Sequence, residues 1–319
     1  MQTFTRLIAI LLLCLASFAH GQDKVKVATF LATSALPYYI AVERGYFKEV
    51  GIETEAVPFT THPLILQALV SGSIDAVAVT TALEVLNMNI LRPNTAFFIS
   101  LNGQNEKYTT EQFVVRPDST AKSLKDLKGA RLFSAPGPAN MSIARMVLKN
   151  NGLEEGRDYT LQEQPMGVHL GAIKGGNFDG GYTLEPLASL MIQQGAARRL
   201  EAGVIATHLL GSKEAYAITA GGVLSQKFIE SRPDVAARYA QAWAKAIRDA
   251  NNDPSVREFL VKHMNVPASI APSVPLVRFA MIKDVEPAQL VYFQRLADLG
   301  VTMGVMKSKT DVHTWLKPY

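Results

Sequence analysis

Short apolar stretches of about four to eight residues alternate along this chain with longer segments whose apolar positions recur every three to four residues. The first kind predicts strands over 25–30, 52–59, 76–79, 95–101, 112–115, 131–134, 160–164, 181–184 and 216–219. The second kind predicts helices between them. One covers 38–50 and stops at Gly51, a residue free to take the left-handed conformation of a helix end. The next opens at Pro63, suited to a first helical turn, and stops at Gly72. Thr81-Ala82-Leu83-Glu84 reads as a capping box, in which Glu84 reaches back to the start of its own helix. Further helices fall over 140–150, 169–175 and 186–195, and long ones start near Pro233, Pro254 and Pro287. Alternation of this kind gives a mostly parallel sheet covered by helices on both faces, so the fold class is α/β. The polar stretch 102–110 separates two such series, and the strand at 216–219 leads back to the first.

One segment breaks the pattern. Residues 7–19 are apolar or small throughout, follow Arg6, and end abruptly at His20-Gly21-Gln22-Asp23. The run is too short for a membrane span, which needs about 20 residues. Ala19 and Gly21 are placed for cleavage before Gln22, and Ser17 and Ala19 for cleavage before His20, so 1–21 reads as a secretory signal. Cys14, the one cysteine of the sequence, lies in this run behind three leucines, where lipidation is not expected. Without it the chain has no thiol for a disulfide or a thiolate metal cage. With 319 residues, 48% of them hydrophobic, there is material for two domains. The formal charge of +4 and the lack of a dense basic run argue against nucleic acid as a partner.

Four strand-to-helix loops share small, hydroxylated and proline residues: 33–37, 60–63, 80–81 and 134–140. In α/β folds such loops, at the carboxyl ends of strands and the amino ends of helices, are where ligands sit. Each loop taken singly is explained by helix capping. Four together point to a binding crevice.

The segment Ala41-Val42-Glu43-Arg44-Gly45-Tyr46-Phe47-Lys48-Glu49-Val50-Gly51-Ile52 resembles a signature of the periplasmic substrate-binding proteins of ABC importers for nitrate, sulfonates, taurine, bicarbonate and thiamine-pyrimidine precursors. Similar in the same order are Leu69 through Ala76, Ser123-Leu124-Lys125-Asp126-Leu127-Lys128-Gly129, Gly176-Asn177-Phe178-Asp179-Gly180-Gly181 with Glu185-Pro186, and Arg232-Pro233-Asp234 with Ala242-Trp243-Ala244-Lys245-Ala246. The resemblance implies a two-lobed clamshell of the type II kind, with one lobe over 22–110 and 217–319 and the other over 111–216. Two hinge crossings fall near 107–112 and 214–217. It implies a monomer that delivers a small ligand to a membrane permease, with no cofactor, metal site or catalysis. Carried across position by position, its ligand-binding residues are Ser34, Ala35, Leu36 and Tyr38, then Thr60, Thr61 and His62, then Thr80 and Thr81. The second lobe contributes Gly137, Ala139 and Asn140 between Pro136 and Pro138, and Tyr182 with Glu185. Tyr46 and Phe47 read as core, and Asp75 and Asp179 as turn residues.

Selectivity is where this chain departs from the family. Pro138 removes an N–H at a helix start where relatives carry a Gly-Ser or Gly-Thr step, and the Asn140 amide is the available substitute. The loops contain no Lys or Arg, so a small organic anion such as a sulfonate or carboxylate would be held by helix ends, hydroxyls and His62. Tyr182 facing Tyr38 and Tyr39 raises the alternative of a pyrimidine-like or other aromatic metabolite. An enzyme resembling the thiamine-pyrimidine synthases would need a cysteine-rich segment, which residues 22–319 lack.

Overall fold

A computed structural model describes residues 22–319; the predicted signal and its Cys14 lie outside them. Eleven strands form two sheets. The first has the order β11-β4-β10-β3-β1-β2 and is built from β1 (Asp23–Phe30), β2 (Ile52–Phe59), β3 (Ala76–Thr81), β4 (Ala96–Gln104), β10 (Ala217–Ser225) and β11 (Arg278–Met281). The second has the order β7-β6-β8-β5-β9, from β5 (Glu111–Val115), β6 (Ala130–Ser134), β7 (Tyr159–Glu163), β8 (Gly180–Leu184) and β9 (Arg198–Ala202). Each sheet with its helices is one lobe of a two-lobed α/β fold.

Pairing is mixed where the sequence pattern suggests mostly parallel sheets. In the first sheet β1 pairs in parallel with β2 and β3, whereas β10 runs antiparallel to β3 and β4, and β11 antiparallel to β4. In the second, β6 is parallel to β7 and β8, and β5 antiparallel to β8 and β9. The reason lies in the crossings. β5 and β10 each arrive from the other lobe instead of through a helical crossover, and only the crossover imposes parallel pairing.

The first lobe carries α1 (Leu36–Glu43), α2 (Tyr46–Glu49), α3 (His62–Ser71) and α4 (Ala82–Leu91). The helix expected over 38–50 is thus two, broken where Gly45 takes φ +73°. The second lobe carries α5 (Pro138–Asn150), α6 (His169–Lys174), α7 (Leu187–Gln193) and α8 (Val204–His208). Returning to the first lobe, the chain adds α9 (Gln226–Ser231), α10 (Pro233–Asn252), α11 (Glu258–Met264) and α12 (Pro287–Thr302). Helix α10 buries Val235, Tyr239, Ala242, Trp243 and Ala246, the three-to-four spacing of one apolar face. The Trp243 indole N–H donates to the Ser100 hydroxyl on β4 at 2.9 Å, which ties that face to the sheet.

Two crossings join the lobes, from β4 to β5 and from α8 to β10. They are fastened to each other: the Glu106 N–H donates to the Lys213 carbonyl at 3.2 Å. The Gln104 amide donates to the Thr219 hydroxyl at 2.8 Å. No helix among the described residues is long and apolar enough to cross a membrane.

Candidate functional site

The lobes meet in a closed junction. The Thr33 N–H, just after β1, donates to the Glu185 carbonyl, just after β8, at 2.9 Å. The Ala139 N–H, in the first turn of α5, donates to Oε1 of Glu84 on α4 at 3.1 Å. Beside these bridges the polar groups are left incomplete. Thr33 Oγ1, Thr81 Oγ1, Glu84 Oε2, Thr110 Oγ1, Glu111 Oε2 and Tyr182 Oη are buried and have no hydrogen-bond partner. All six lie on segments that end at the junction or cross it. A buried polar atom without a partner costs about 1–3 kcal/mol, so a concentration of them marks a place where something else bonds.

The carboxyls of this junction are held toward their neutral forms. Burial pushes the Glu84 carboxyl up to about 7, with Glu163 of the second lobe adding to the rise and the Ala139 N–H and Thr81 hydroxyl opposing it. Burial pushes Glu111 up to about 8, with the nearby Thr219 hydroxyl opposing the rise. The Tyr182 phenol is held well above its ordinary value by burial and then by the neighbouring Glu111. Among the described residues no lysine or arginine is buried. His62 is buried against Phe30, ring centroids 4.3 Å apart, and its Nδ1 lies 3.4 Å from the Thr80 hydroxyl. Burial lowers it to about 3, so its imidazole is neutral and cannot act as the cation for an anionic ligand.

The residues expected at the site divide into two groups. Thr80, Thr81, Gly137, Ala139 and Tyr182 are buried where the lobes meet, and Ser34, Ala35 and Leu36 are buried beside Thr33. Thr60 is exposed and Thr61 half-buried at the end of edge strand β2. Tyr38 turns into its own lobe: its hydroxyl donates to Thr54 Oγ1 at 3.3 Å and its ring packs near Phe47. Tyr39 stacks on His263 with centroids 4.4 Å apart. Neither tyrosine therefore opposes Tyr182, which packs on Phe113 at 5.3 Å.

Two polar candidates are already engaged. The Asn140 amide donates to the Pro136 carbonyl at 2.7 Å and so closes its own loop instead of replacing the N–H lost at Pro138. The Glu185 carboxylate accepts from the Gln112 amide at 2.7 Å, the Ser189 N–H at 3.1 Å and the Arg199 guanidinium at 3.3 Å. Its side chain braces the second lobe; only its carbonyl reaches the junction. Asp75 and Asp179 accept from the N–H groups of Lys26 and Arg131, each at a turn beside a strand, as the turn reading implies.

Sequence reasoning missed Thr33, Glu84, Thr110 and Glu111 as site residues. The signal for Glu84 was present and was assigned elsewhere. No side-chain cap is formed at the start of α4, because the carboxylate crosses to the other lobe. Gly137 makes room for it: φ is +102°, and a Cβ there would lie 2.8 Å from Glu84 Oε1. Among the described residues no group of three or more His, Cys, Asp or Glu side chains converges as metal ligands.

Comparison with known proteins adds the family context. The family described as NMT1/THI5 like matches residues 32–256, well over half of the chain. No curated protein matches. Among solved structures, the alkanesulfonate-binding protein of Xanthomonas axonopodis pv. citri bound to MOPS superposes with a TM-score of 0.73 at 18% identity, covering 94% of this chain and 100% of that one. The ligand-binding component of an ABC-type import system from Staphylococcus aureus, with zinc bound, gives 0.72 at 14% identity, covering 93% and 97%. The periplasmic nitrate-binding protein of Synechocystis PCC 6803 gives 0.66 at 13% identity, covering 91% and 84%. At these identities the likeness is one of fold.

Proposed function

The chain belongs to the NMT1/THI5-like family, and from that premise we propose that it is an exported solute-binding protein that captures a small organic ligand between its lobes for an ABC importer. One observation carries this reading: the six unpartnered oxygens buried at the lobe junction, contributed by both lobes and by the first crossing. A ligand that completes their hydrogen bonds touches both lobes at once. It therefore binds the closed form better than the open one, and that difference drives closure and signals a loaded protein to the permease. The fold shared with solved import-system proteins supports capture and delivery, and the residues of 1–21 support export. In this reading the lobes divide as 22–110 with 217–319, and 111–216, a division supported by which strands share a sheet. The protein acts as a monomer and performs no chemistry on its ligand.

The chemistry of the junction favours the pyrimidine-like reading over the organic anion. An anion would find no buried Lys or Arg, a neutral His62 and an Asn140 amide already in use. A ring carrying amino groups would instead give N–H donors to carboxyl and hydroxyl oxygens, beside the rings of Tyr182 and Phe113. A thermal-shift panel of 4-aminopyrimidines, aliphatic sulfonates and nitrate tests this. A ligand at 100 times its dissociation constant adds about 2.7 kcal/mol of native stability. We expect only the aminopyrimidines to raise Tm; a rise with sulfonate or nitrate alone refutes this ligand assignment.

A further inference from the structure

Glu84 stands at the third position of α4, where a carboxylate ordinarily serves its own helix. Its Oε1 instead accepts the Ala139 N–H at the start of α5, across the lobe junction. Helix α5 has 13 residues, and its amino end gathers free N–H groups and the positive end of the helix dipole, which is the usual cradle for an anion. That cradle is already filled by a group of the protein itself. The second carboxylate oxygen, Oε2, is buried without a partner, and so is the hydroxyl of Thr81 one turn earlier. Gly137, the residue before α5, leaves the space that Glu84 occupies. On its outer side Glu84 helps to line a mainly apolar hollow of about 320 Å³ whose other walls include Pro63, Leu66, Met88, Arg92, Pro138 and Val305.

We propose that Glu84 is a specificity-determining residue: by covering the amino end of α5 with its own carboxyl it keeps anionic ligands off that end, and its free oxygen selects ligands that donate a hydrogen bond. The proposal rests on the lobe junction being the ligand site. An incoming sulfonate or carboxylate must displace Glu84 from Ala139 or lie against a like charge, and both weaken binding. A ligand N–H meets Oε2 with no such conflict and satisfies an oxygen that is otherwise unbonded.

Titration calorimetry at about pH 8, where the carboxyl is mostly ionised, decides it with ethanesulfonate and a 4-aminopyrimidine as probes. We expect wild type to bind ethanesulfonate weakly, and Glu84→Ala to bind it at least about tenfold more tightly because the helix end is uncovered. Glu84→Gln keeps the size and the acceptor for Ala139, loses the charge, and is expected to gain in the same direction should the alanine variant not fold. The aminopyrimidine should lose affinity in both variants, so the ratio of the two affinities inverts. A residue that only supported the fold would weaken both probes together. Equal ethanesulfonate affinity in wild type and variants overturns the proposal, as does a failure of every variant to bind it. The response of wild type to the aminopyrimidine reads the ligand assignment separately.

Discussion

Lowering the pH from about 8 to about 5 should shift the ligand-free protein toward its closed form, and Glu84→Gln should remove that response. In the closed junction burial raises the Glu84 carboxyl from 4.5 to about 7; Glu163 raises it further, while the Ala139 N–H and Thr81 hydroxyl lower it. Opening parts Glu84 from Ala139 and returns the carboxyl to water and to its ordinary value. The closed form therefore holds the proton more tightly. Its advantage is complete below the open-form value of 4.5 and is lost as the pH rises through about 7. At about 1.4 kcal/mol for each pH unit between those values, the full span is about 3.5 kcal/mol, roughly three-hundredfold in the ratio of closed to open protein. Glu111 is also raised, but it lies in the crossing beside Gln104 and Thr219, so the Glu84 substitution isolates one carboxyl. The measurement is an interlobe distance by electron spin resonance between labels at Leu91→Cys and Lys149→Cys. Both positions are exposed, one in each lobe, and residues 22–319 contain no competing thiol. The short-distance population should grow as pH falls in wild type and stay level in Glu84→Gln. An identical pH profile in the two proteins refutes the reasoning, and so does closure that increases with pH.

Tyr182→Phe should move stability and affinity in opposite directions. It removes a buried hydroxyl that has no partner, which adds about 1 kcal/mol to the ligand-free protein in a denaturant titration, while ligand affinity falls about tenfold. His62 is neutral in the folded protein and binds a proton readily only when unfolded, so its contribution to stability is present above pH 6.5 and declines as pH falls toward about 3. Comparing urea unfolding of wild type and His62→Gln at about pH 8 and pH 5 should show that wild type loses about 2 kcal/mol more on acidification. Gly137→Ala should destabilise the protein by about 1–3 kcal/mol, since its left-handed φ and the nearby Glu84 oxygen both resist a Cβ. The same substitution should also shorten ligand residence time in stopped-flow dissociation.

Local signals in the sequence were read where one element is bounded by its own punctuation. β2 matches the expected span because Gly51 and the Thr60-Thr61 pair delimit it. Helix α3 ends at Gly72 in the left-handed conformation, as expected of a glycine there. Strand β9 escaped detection because Arg198-Arg199-Leu200-Glu201-Ala202 has no apolar alternation. It is an edge strand held by its pairing with β5, and Arg198 is drawn to the carbonyls of Ser119 and Ala121. β11 alternates, with Phe279 and Met281 buried, and escaped because it is only four residues long at the other sheet's edge. At the site, loop composition pointed to the ends of β1, β2, β3 and β6, and the family resemblance to the end of β8. Glu84 was misread because a cap within its own helix is local, while its actual acceptor role involves an N–H 55 residues away in another lobe. The orientations of Tyr38 and Tyr39 were set by Thr54 and His263, neither of which lies near them in sequence.

The position of β10 fixes an order of assembly. It lies between β4 and β3, yet it follows every strand of the second sheet along the chain. The second sheet has all its strands by Ala202, whereas the first has an open seam until Ser225 has been added. A chain shortened anywhere from 203 to 216 would carry a finished second sheet next to a first sheet in which one edge of β3 is bare and β4 has no partner on either side. Such edges pair readily with other chains. Aggregation of truncated or slowly completed molecules should therefore begin at this seam, and the second lobe should mature before the first.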